Sequence, residues 1–105
     1  MASINNAMPR ISRHRDRCKT GHLCDPTAPV LASQYTVFAE GKPILVRGDR
    51  LAPHKIKAGF LCIPHPAKLT GSSFTVFVKN IGVGRRGDRA DFGAMTGAAG
   101  TVSAG

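Results

Sequence analysis

The segment Ser33-Gln-Tyr-Thr-Val-Phe-Ala-Glu-Gly-Lys-Pro-Ile-Leu-Val-Arg-Gly-Asp-Arg50 recurs 39 residues later as Ser72-Ser-Phe-Thr-Val-Phe-Val-Lys-Asn-Ile-Gly-Val-Gly-Arg-Arg-Gly-Asp-Arg89. Eight of the eighteen aligned positions are identical. Each copy predicts a hairpin, because a β-branched and aromatic run (Thr-Val-Phe) is followed by a turn and by a second strand that ends in Arg-Gly-Asp-Arg. The predicted turns are Glu40-Gly41 and Lys79-Asn80, since Gly and Asn tolerate the positive φ of tight hairpins. Such a repeat indicates one supersecondary unit used several times.

The two ends of the chain supply a third, degenerate copy. Thr96–Ala104 is similar to Thr70–Val78, and Ile11–Arg17 lies over Ile44–Arg50. We therefore expect the strand around residues 11–16 to pair with the strand around 101–104 and to close a pseudo-threefold ring, which also covers edge strands. The predicted organisation is a flexible leader (1–7) and one domain (8–105). Its repeat units span about 32–54, about 71–93, and 94–105 joined with 8–22.

Composition favours one small all-β domain. The chain has 105 residues, of which 12 are Gly and 7 are Pro. Its apolar residues do not recur with the 3.6-residue period of a helix over about eleven residues. No apolar run is long enough for a membrane span. The first residues lack the apolar core of a secretory signal, so we expect the protein to be made and assembled in the cytoplasm of the producing cell without a signal peptide.

The histidines occur at related positions in the repeats. His22 and His54 each follow the Asp-Arg that ends a hairpin, and His65 lies on the same connecting segment as His54. If the units surround a threefold axis, these loops meet at one end of it and predict a metal site of the kind that zinc favours. Solvated turn histidines are the alternative. His14 aligns with a strand position and is interpreted as a surface residue.

Three cysteines occur in the chain: Cys18, Cys24 and Cys62. An odd count without a secretory signal favours thiol or metal roles over a complete disulfide framework. A buried cysteine that serves only as a small apolar residue is the alternative for each of them.

The repeated Thr-Val-Phe, turn and Arg-Gly-Asp-Arg pattern, set around Gly-His and Pro-His loops, resembles PAAR-repeat proteins over about residues 8–105. That family caps the central spike of contractile injection machines, namely phage tails and type VI secretion systems. The resemblance implies a small cone-shaped domain of short β-hairpins with pseudo-threefold symmetry. It also implies one metal per chain, zinc or alternatively iron, held by three His and one Cys. The histidines carry over to His22, His54 and His65.

The chain departs from the family pattern in its third loop. Members commonly read Gly-Asp-x-x-x-Cys-Gly, whereas this chain places Phe92 at the cysteine position. Phenylalanine cannot bind a metal. Cys62 is the first choice for the fourth ligand because it lies on the loop that supplies two histidines. Cys24, Cys18, Asp91 and a water molecule remain open.

The predicted function is mechanical and not enzymatic. The repeated Asp16, Asp49 and Asp88 are explained by turn chemistry, in which the carboxylate accepts backbone N–H bonds. Apolar residues lie on both faces of the first strand of each hairpin, which predicts burial on both sides. One face is expected to fill the small core and the other to dock one chain onto a trimeric β-helical spike. The residues predicted to bind this partner are Tyr35, Phe38, Phe74 and Phe77. We expect the protein in the virion, at the tip of a phage tail baseplate, with transient contact to the host membrane during envelope piercing. A type VI secretion tip is the alternative within the family.

A net charge of +9 also raises nucleic-acid binding as an alternative. Its basic residues form two clusters in the sequence, around Arg10–Lys19 and around Arg85–Arg89. The sequence has no helix–turn–helix pattern and no RNP motif, so no specific nucleic-acid partner is expected.

Overall fold

The computed structural model describes residues 8–105, and within that range the chain forms only short antiparallel β-hairpins and no helix. The predicted all-β class is confirmed, while the predicted leader lies outside the described residues. The strands are β1 (Arg17–Lys19), β2 (Thr27–Pro29), β3 (Phe38–Ala39), β4 (Lys42–Pro43), β5 (His54–Ala58), β6 (Leu61–His65), β7 (Phe77–Val78), β8 (Ile81–Gly82), β9 (Arg89–Ala90) and β10 (Gly93–Ala94).

Three equivalent segments, here called the ring segments, pair with one another around a closed circuit. They are residues 11–13, 44–46 and 83–85, and their bridges join Arg13 to Ile44, Val46 to Val83, and Arg85 to Ile11. Their central residues also form a closed set of backbone hydrogen bonds. The N–H of Ser12 donates to the carbonyl of Gly84 (2.9 Å), that of Gly84 to Leu45 (2.8 Å), and that of Leu45 to Ser12 (3.0 Å). One chain therefore builds a ring with pseudo-threefold symmetry.

A tight turn follows each ring segment and is fixed by an aspartate. The carboxylate Oδ2 accepts the backbone N–H three residues earlier, in the pairs Arg13–Asp16 (2.7 Å), Val46–Asp49 (2.8 Å) and Arg85–Asp88 (2.8 Å). The residue before each aspartate has positive φ: 71° at Arg15, 96° at Gly48 and 87° at Gly87. Glycine suits two of these turns for that reason. The predicted turn role of the three aspartates is confirmed.

Two small apolar layers lie on the two sides of the ring, because successive residues of a strand face opposite ways. One layer contains Leu45, Val30, Leu69 and Met95, together with buried residues of β1, β2 and β9. The other contains residues of the ring segments, of the hairpins β3–β4 and β7–β8, and of the C-terminal segment: Ile11, Ala39, Ile44, Val46, Val78, Val83 and Ala104. The first layer supports the loops that carry the histidines.

The hairpins β3–β4 and β7–β8, here called the base hairpins, turn where the sequence predicts. Glu40 and Gly41 have φ of 52° and 80°, and Lys79 and Asn80 have φ of 51° and 67°. Their first strands are shorter than predicted and begin only at Phe38 and Phe77. The cause is a side-chain cap before each strand. Gln34 Oε1 accepts the N–H groups of residues 36 and 37, and Ser73 Oγ accepts those of residues 75 and 76, so these residues turn and do not pair as strands.

The chain ends close the third unit, as the sequence predicts. Ile11 donates its N–H to Val102 (2.8 Å), and Ala104 donates to Pro9 (3.0 Å). Glu40 also accepts hydrogen bonds from the N–H groups of Gly100 (3.0 Å) and Thr101 (3.0 Å). The C-terminal segment is thus held by two of the three units.

Candidate metal centre

Three loops leave the same layer of the domain and meet on one side of the ring. They are the loop between β1 and β2, the β5–β6 hairpin, and the turn between β9 and β10. Each unit contributes one of them at an equivalent place, since the bridges beneath them join Cys18 to Met95, Val30 to Leu51, and Leu69 to Ala90. The pseudosymmetry of the ring therefore brings loops distant in sequence together.

These loops gather three histidines and one carboxylate. The donor atoms of His22, His54, His65 and Asp91 all lie within 4.8 Å of one another. The Nε2 atoms of His22 and His54 lie 2.7 Å and 2.8 Å from Asp91 Oδ2, and Nε2 of His65 lies 3.2 Å from Oδ1. The side chains of His22, His54 and Asp91 are almost fully buried. Three neutral imidazoles and a carboxylate form a group that could hold a divalent metal ion.

The hydrogen bond on the other side of the His54 ring favours a cation in the cluster. Its Nδ1 lies 3.1 Å from the carbonyl oxygen of Ala52. A carbonyl can only accept, so Nδ1 carries the proton and the Nε2 of a neutral ring presents a lone pair to Asp91. A lone pair facing a buried carboxylate is unfavourable unless the ring is protonated or the two atoms bind the same cation. Metal-binding histidines commonly make this second bond to a backbone carbonyl.

Asp91 is ionised despite its burial. Desolvation is the largest single influence and raises the pKa of its carboxyl group, but the polar contacts of its oxygens with the rings of His54, His65 and His22 together outweigh it and lower the pKa. The backbone at Asp91 has φ of 56°, a left-handed conformation that Asp adopts more readily than most residues. The tight turn between β9 and β10 thereby places the charged carboxylate among the imidazoles.

The choice of Cys62 as fourth ligand needs correction, because its sulfur is bonded to Cys24 in a disulfide with a Cα–Cα distance of 6.0 Å. Neither sulfur is then a thiolate. Cys18 is a buried free cysteine of the apolar layer, and burial, with the nearby charge of Asp91, raises the pKa of its thiol to about 11. The donor beside the three histidines is Asp91, one of the alternatives that the sequence leaves open.

The disulfide also overturns the expectation of thiol roles for Cys24 and Cys62. It joins the β1–β2 loop to β6 across a separation of 38 residues. A cross-link over a loop of that length stabilises a fold by about 4 kcal/mol in the chain-entropy description. Cys24 is two residues from His22, and Cys62 is three residues from His65. The bond therefore holds together two loops that supply ring nitrogens.

Aromatic packing surrounds the histidines. Phe92 meets His22 edge-on at 5.4 Å between ring centroids and lies nearly parallel to His65 at 6.3 Å. Its neighbour Gly21 has no room for a side chain, because an added Cβ would lie 2.8 Å from Cβ of Phe92. Phe92 thus packs against two histidines of the cluster and supplies no ligand to it.

Other residues singled out in the sequence lie away from the cluster. His14 accepts the N–H of Ala32 through Nδ1 (2.9 Å) and is not part of the cluster. The aromatic residues predicted to bind a partner are exposed on or beside the base hairpins, on the opposite side of the ring: Tyr35, Phe38, Phe74 and Phe77.

No protein-family model and no curated protein matches the chain. Among residues 8–105, no helix is long and apolar enough to cross a membrane.

Proposed function

We propose that the protein is a non-enzymatic, metal-stapled tip that caps the trimeric central spike of a contractile injection machine, with a phage tail as the first candidate. The observation that carries this proposal is the closed circuit of hydrogen bonds among Ser12, Leu45 and Gly84. A single chain with pseudo-threefold symmetry matches the threefold axis of a trimer, so one chain can seat on three spike subunits. The resemblance to PAAR-repeat proteins supports the same assignment.

The base hairpins supply the docking surface. Four aromatic side chains are half or more exposed there, from Phe38 at 53% to Phe74 at 82%, with Tyr35 and Phe77 between them. Exposed aromatic residues concentrated on one side of a small domain are typical of an interaction site. Equivalent positions in two repeats, Phe38 and Phe77, would meet equivalent surfaces on two spike subunits.

The metal holds the other side of the ring together. Four protein donors fill a tetrahedral shell, the arrangement of structural zinc sites, whereas catalytic sites keep a position for water. Zinc is our first choice and iron the second, with one ion per chain bound by His22, His54, His65 and Asp91. A domain with so few large buried side chains gains folding free energy from such an ion.

The carboxylates support a structural and not a hydrolytic role. The chain has six acidic residues, and each accepts a structural hydrogen bond or belongs to the cluster: Asp16, Asp25, Glu40, Asp49, Asp88 and Asp91. A hydrolytic metal site needs a carboxylate or another general base free to activate water.

Binding to nucleic acid through the positive charge is the second candidate. The net charge of +9 favours it. However, two of the arginines in the basic clusters already form ion pairs with aspartates of the same chain. Arg13 is bound to Asp16 and Arg85 to Asp88, at 3.0 Å and 2.9 Å. Their charges are therefore partly neutralised before any phosphate arrives.

Co-purification from the producing cells tests the proposal. We expect a trimeric β-helical protein to be recovered with one chain of this protein per trimer, by native mass spectrometry, and to survive a high-salt wash because apolar contacts are not screened. Phe74→Ser with Phe77→Ser should remove the trimer, while Phe60→Ser on the other side of the ring should retain it. Recovery of DNA alone, lost steeply with rising salt, would favour the second candidate.

A further inference from the structure

The β5–β6 hairpin, here called the finger, is the longest hairpin of the described residues. It extends from the cluster formed by His22, His54, His65 and Asp91. Its five pairs run from His54–His65 at the cluster to Ala58–Leu61 at the tip. Paired residues share a face, so Ile56 and Ile63 lie on the same face as the two histidines. The outer part of the finger is exposed on both strands.

The two faces of the finger differ in chemistry. The face that continues from the histidines is apolar, with Ile56 opposite Ile63 and Ala58 opposite Leu61. The other face carries Lys55 and Lys57, both exposed. A two-stranded hairpin with one apolar and one cationic face is amphipathic, although it is exposed to solvent in this chain.

The tip of the finger is apolar, and no other part of residues 8–105 covers it. Phe60 is fully exposed, and Leu61 is 68% exposed. Gly59, with φ of 63°, allows the turn that presents them. Leu23 (82%) and Phe92 (69%), from the other two loops around the cluster, add exposed apolar surface on the same side of the ring. Exposed apolar side chains grouped in this way indicate a contact surface.

The base of the finger is fixed, so its tip is presented on a rigid support. His54 and His65, the innermost pair, both belong to the metal cluster. On the cationic face, Cys62 is bonded to Cys24 and the N–H of Lys55 donates to Asp25 Oδ2 (2.6 Å). The disulfide holds one face of the finger, and an ion bound by the cluster would hold the opposite face.

We propose that the finger is a lipid-binding element that enters the interfacial region of an anionic bilayer. Phe60 and Leu61 bury their side chains at the boundary of headgroups and acyl chains, and Lys55 and Lys57 meet lipid phosphates. Charge complementarity identifies lipid as the occupant, because the apolar tip is flanked by lysines on a chain of net charge +9. The inference rests on the proposed function, since a spike tip presents this side of the ring to its target.

Vesicle co-sedimentation with the purified full chain tests this inference. We expect wild type to bind vesicles of phosphatidylcholine mixed with phosphatidylglycerol at least about tenfold more tightly than vesicles of phosphatidylcholine alone. Phe60→Ser with Leu61→Ser should weaken binding to both kinds of vesicle by on the order of a hundredfold. Lys55→Glu with Lys57→Glu should remove the preference for the anionic vesicles.

Two controls accompany these variants. Phe74→Ser changes another exposed aromatic residue (82%), on the base hairpins, and should bind vesicles as wild type does. The metal content of every variant, measured on the same samples, shows whether the cluster is intact. Wild type that fails to sediment with anionic vesicles, or a Phe60→Ser, Leu61→Ser variant that binds as well as wild type, would overturn the inference.

The outcome is separable from that of the proposed function. If the finger variants lose vesicle binding and keep the spike trimer, both proposals stand. If vesicle binding is absent and the trimer is recovered, only the lipid inference fails. If vesicles bind and no trimer is recovered, the spike assignment fails.

Discussion

His54 points its Nε2 at Oδ2 of Asp91 from 2.8 Å, while its other ring nitrogen faces a backbone carbonyl. This relationship orients the imidazole lone pair toward the carboxylate, an arrangement that a bound cation stabilises. It joins the long connecting segment of one unit to the shortest loop of another. The same carboxylate oxygen also faces His22.

The first prediction concerns the metal content of the protein. We expect elemental analysis of native protein to find about one zinc or iron per chain. Asp91→Asn keeps the size of the side chain and removes its charge, so it should weaken metal binding by at least about tenfold. Cys24→Ser with Cys62→Ser is the matched control and should retain the metal, because the disulfide sulfurs are not donors. Metal lost from the cysteine variant and kept by Asp91→Asn would assign the fourth ligand to sulfur.

The reactivity of the three cysteines tests the burial of Cys18 and the disulfide between Cys24 and Cys62. The pKa of Cys18 is raised to about 11, and the residue is buried, so it should resist alkylation in the folded protein at pH 8. Mass spectrometry should find no label on native protein, one label after unfolding without reductant, and three after unfolding with reductant. Labelling of Cys24 or Cys62 in the native, unreduced chain would contradict the disulfide.

Much of the fold follows from the sequence because turn chemistry is local. Asp49 and Asp88 each accept the N–H three residues earlier, and Gly48 and Gly87 supply positive φ, so identical tetrapeptides give identical turns. The third copy folds in the same way with Arg15 in place of glycine, at φ of 71°. The ring could be predicted for this reason, although the third copy is weak in sequence.

The fourth donor and the disulfide could not be predicted in the same way. The three loops around the cluster differ in length, so alignment of the repeats does not say which side chain reaches the histidines. Cys24 and Cys62 are 38 residues apart, and their pairing depends on how two of these loops lie in space. The short first strands of the base hairpins were missed because Gln34 and Ser73 bond the backbone through their side chains, a competition with pairing that strand propensity does not record.

Close packing beside the cluster makes Gly93 sensitive to substitution. A Cβ at this position would lie 1.9 Å from the carbonyl oxygen of Lys19, a backbone atom of the neighbouring strand. Gly93→Ala should therefore lower the free energy of unfolding by about 3 kcal/mol, the upper end of the cost of overpacking. Denaturant unfolding measures the change.

Gly100→Ala is the matched control, since its added Cβ would meet only Glu40 Oε2 at an ordinary 3.6 Å. It should leave the unfolding free energy within about 0.5 kcal/mol of wild type. Equal stability of the two variants would contradict the close contact between β10 and β1.

Closure of the third unit depends on Glu40 and is predicted to be sensitive to acid. The pKa of Glu40 is lowered by hydrogen bonds, first from the hydroxyl of Thr101 and then from the N–H of Gly100, with help from the charge of Arg13. A lowered folded pKa means that this stabilisation is complete above the ordinary glutamate pKa, about 4.3, and is lost as the pH falls through the folded value. Glu40→Gln should therefore be less stable than wild type at pH 7, and the difference in unfolding free energy should shrink on acidification.

Lys79→Gln, at the equivalent turn position with φ of 51°, is the control, and its difference from wild type should not shrink in this way. Denaturant unfolding across this pH range, with hydrogen exchange at Gly100 and Thr101, is the measurement. A stability gap between wild type and Glu40→Gln that stays constant down to the lowest pH would show that the carboxylate does not hold the C-terminal segment.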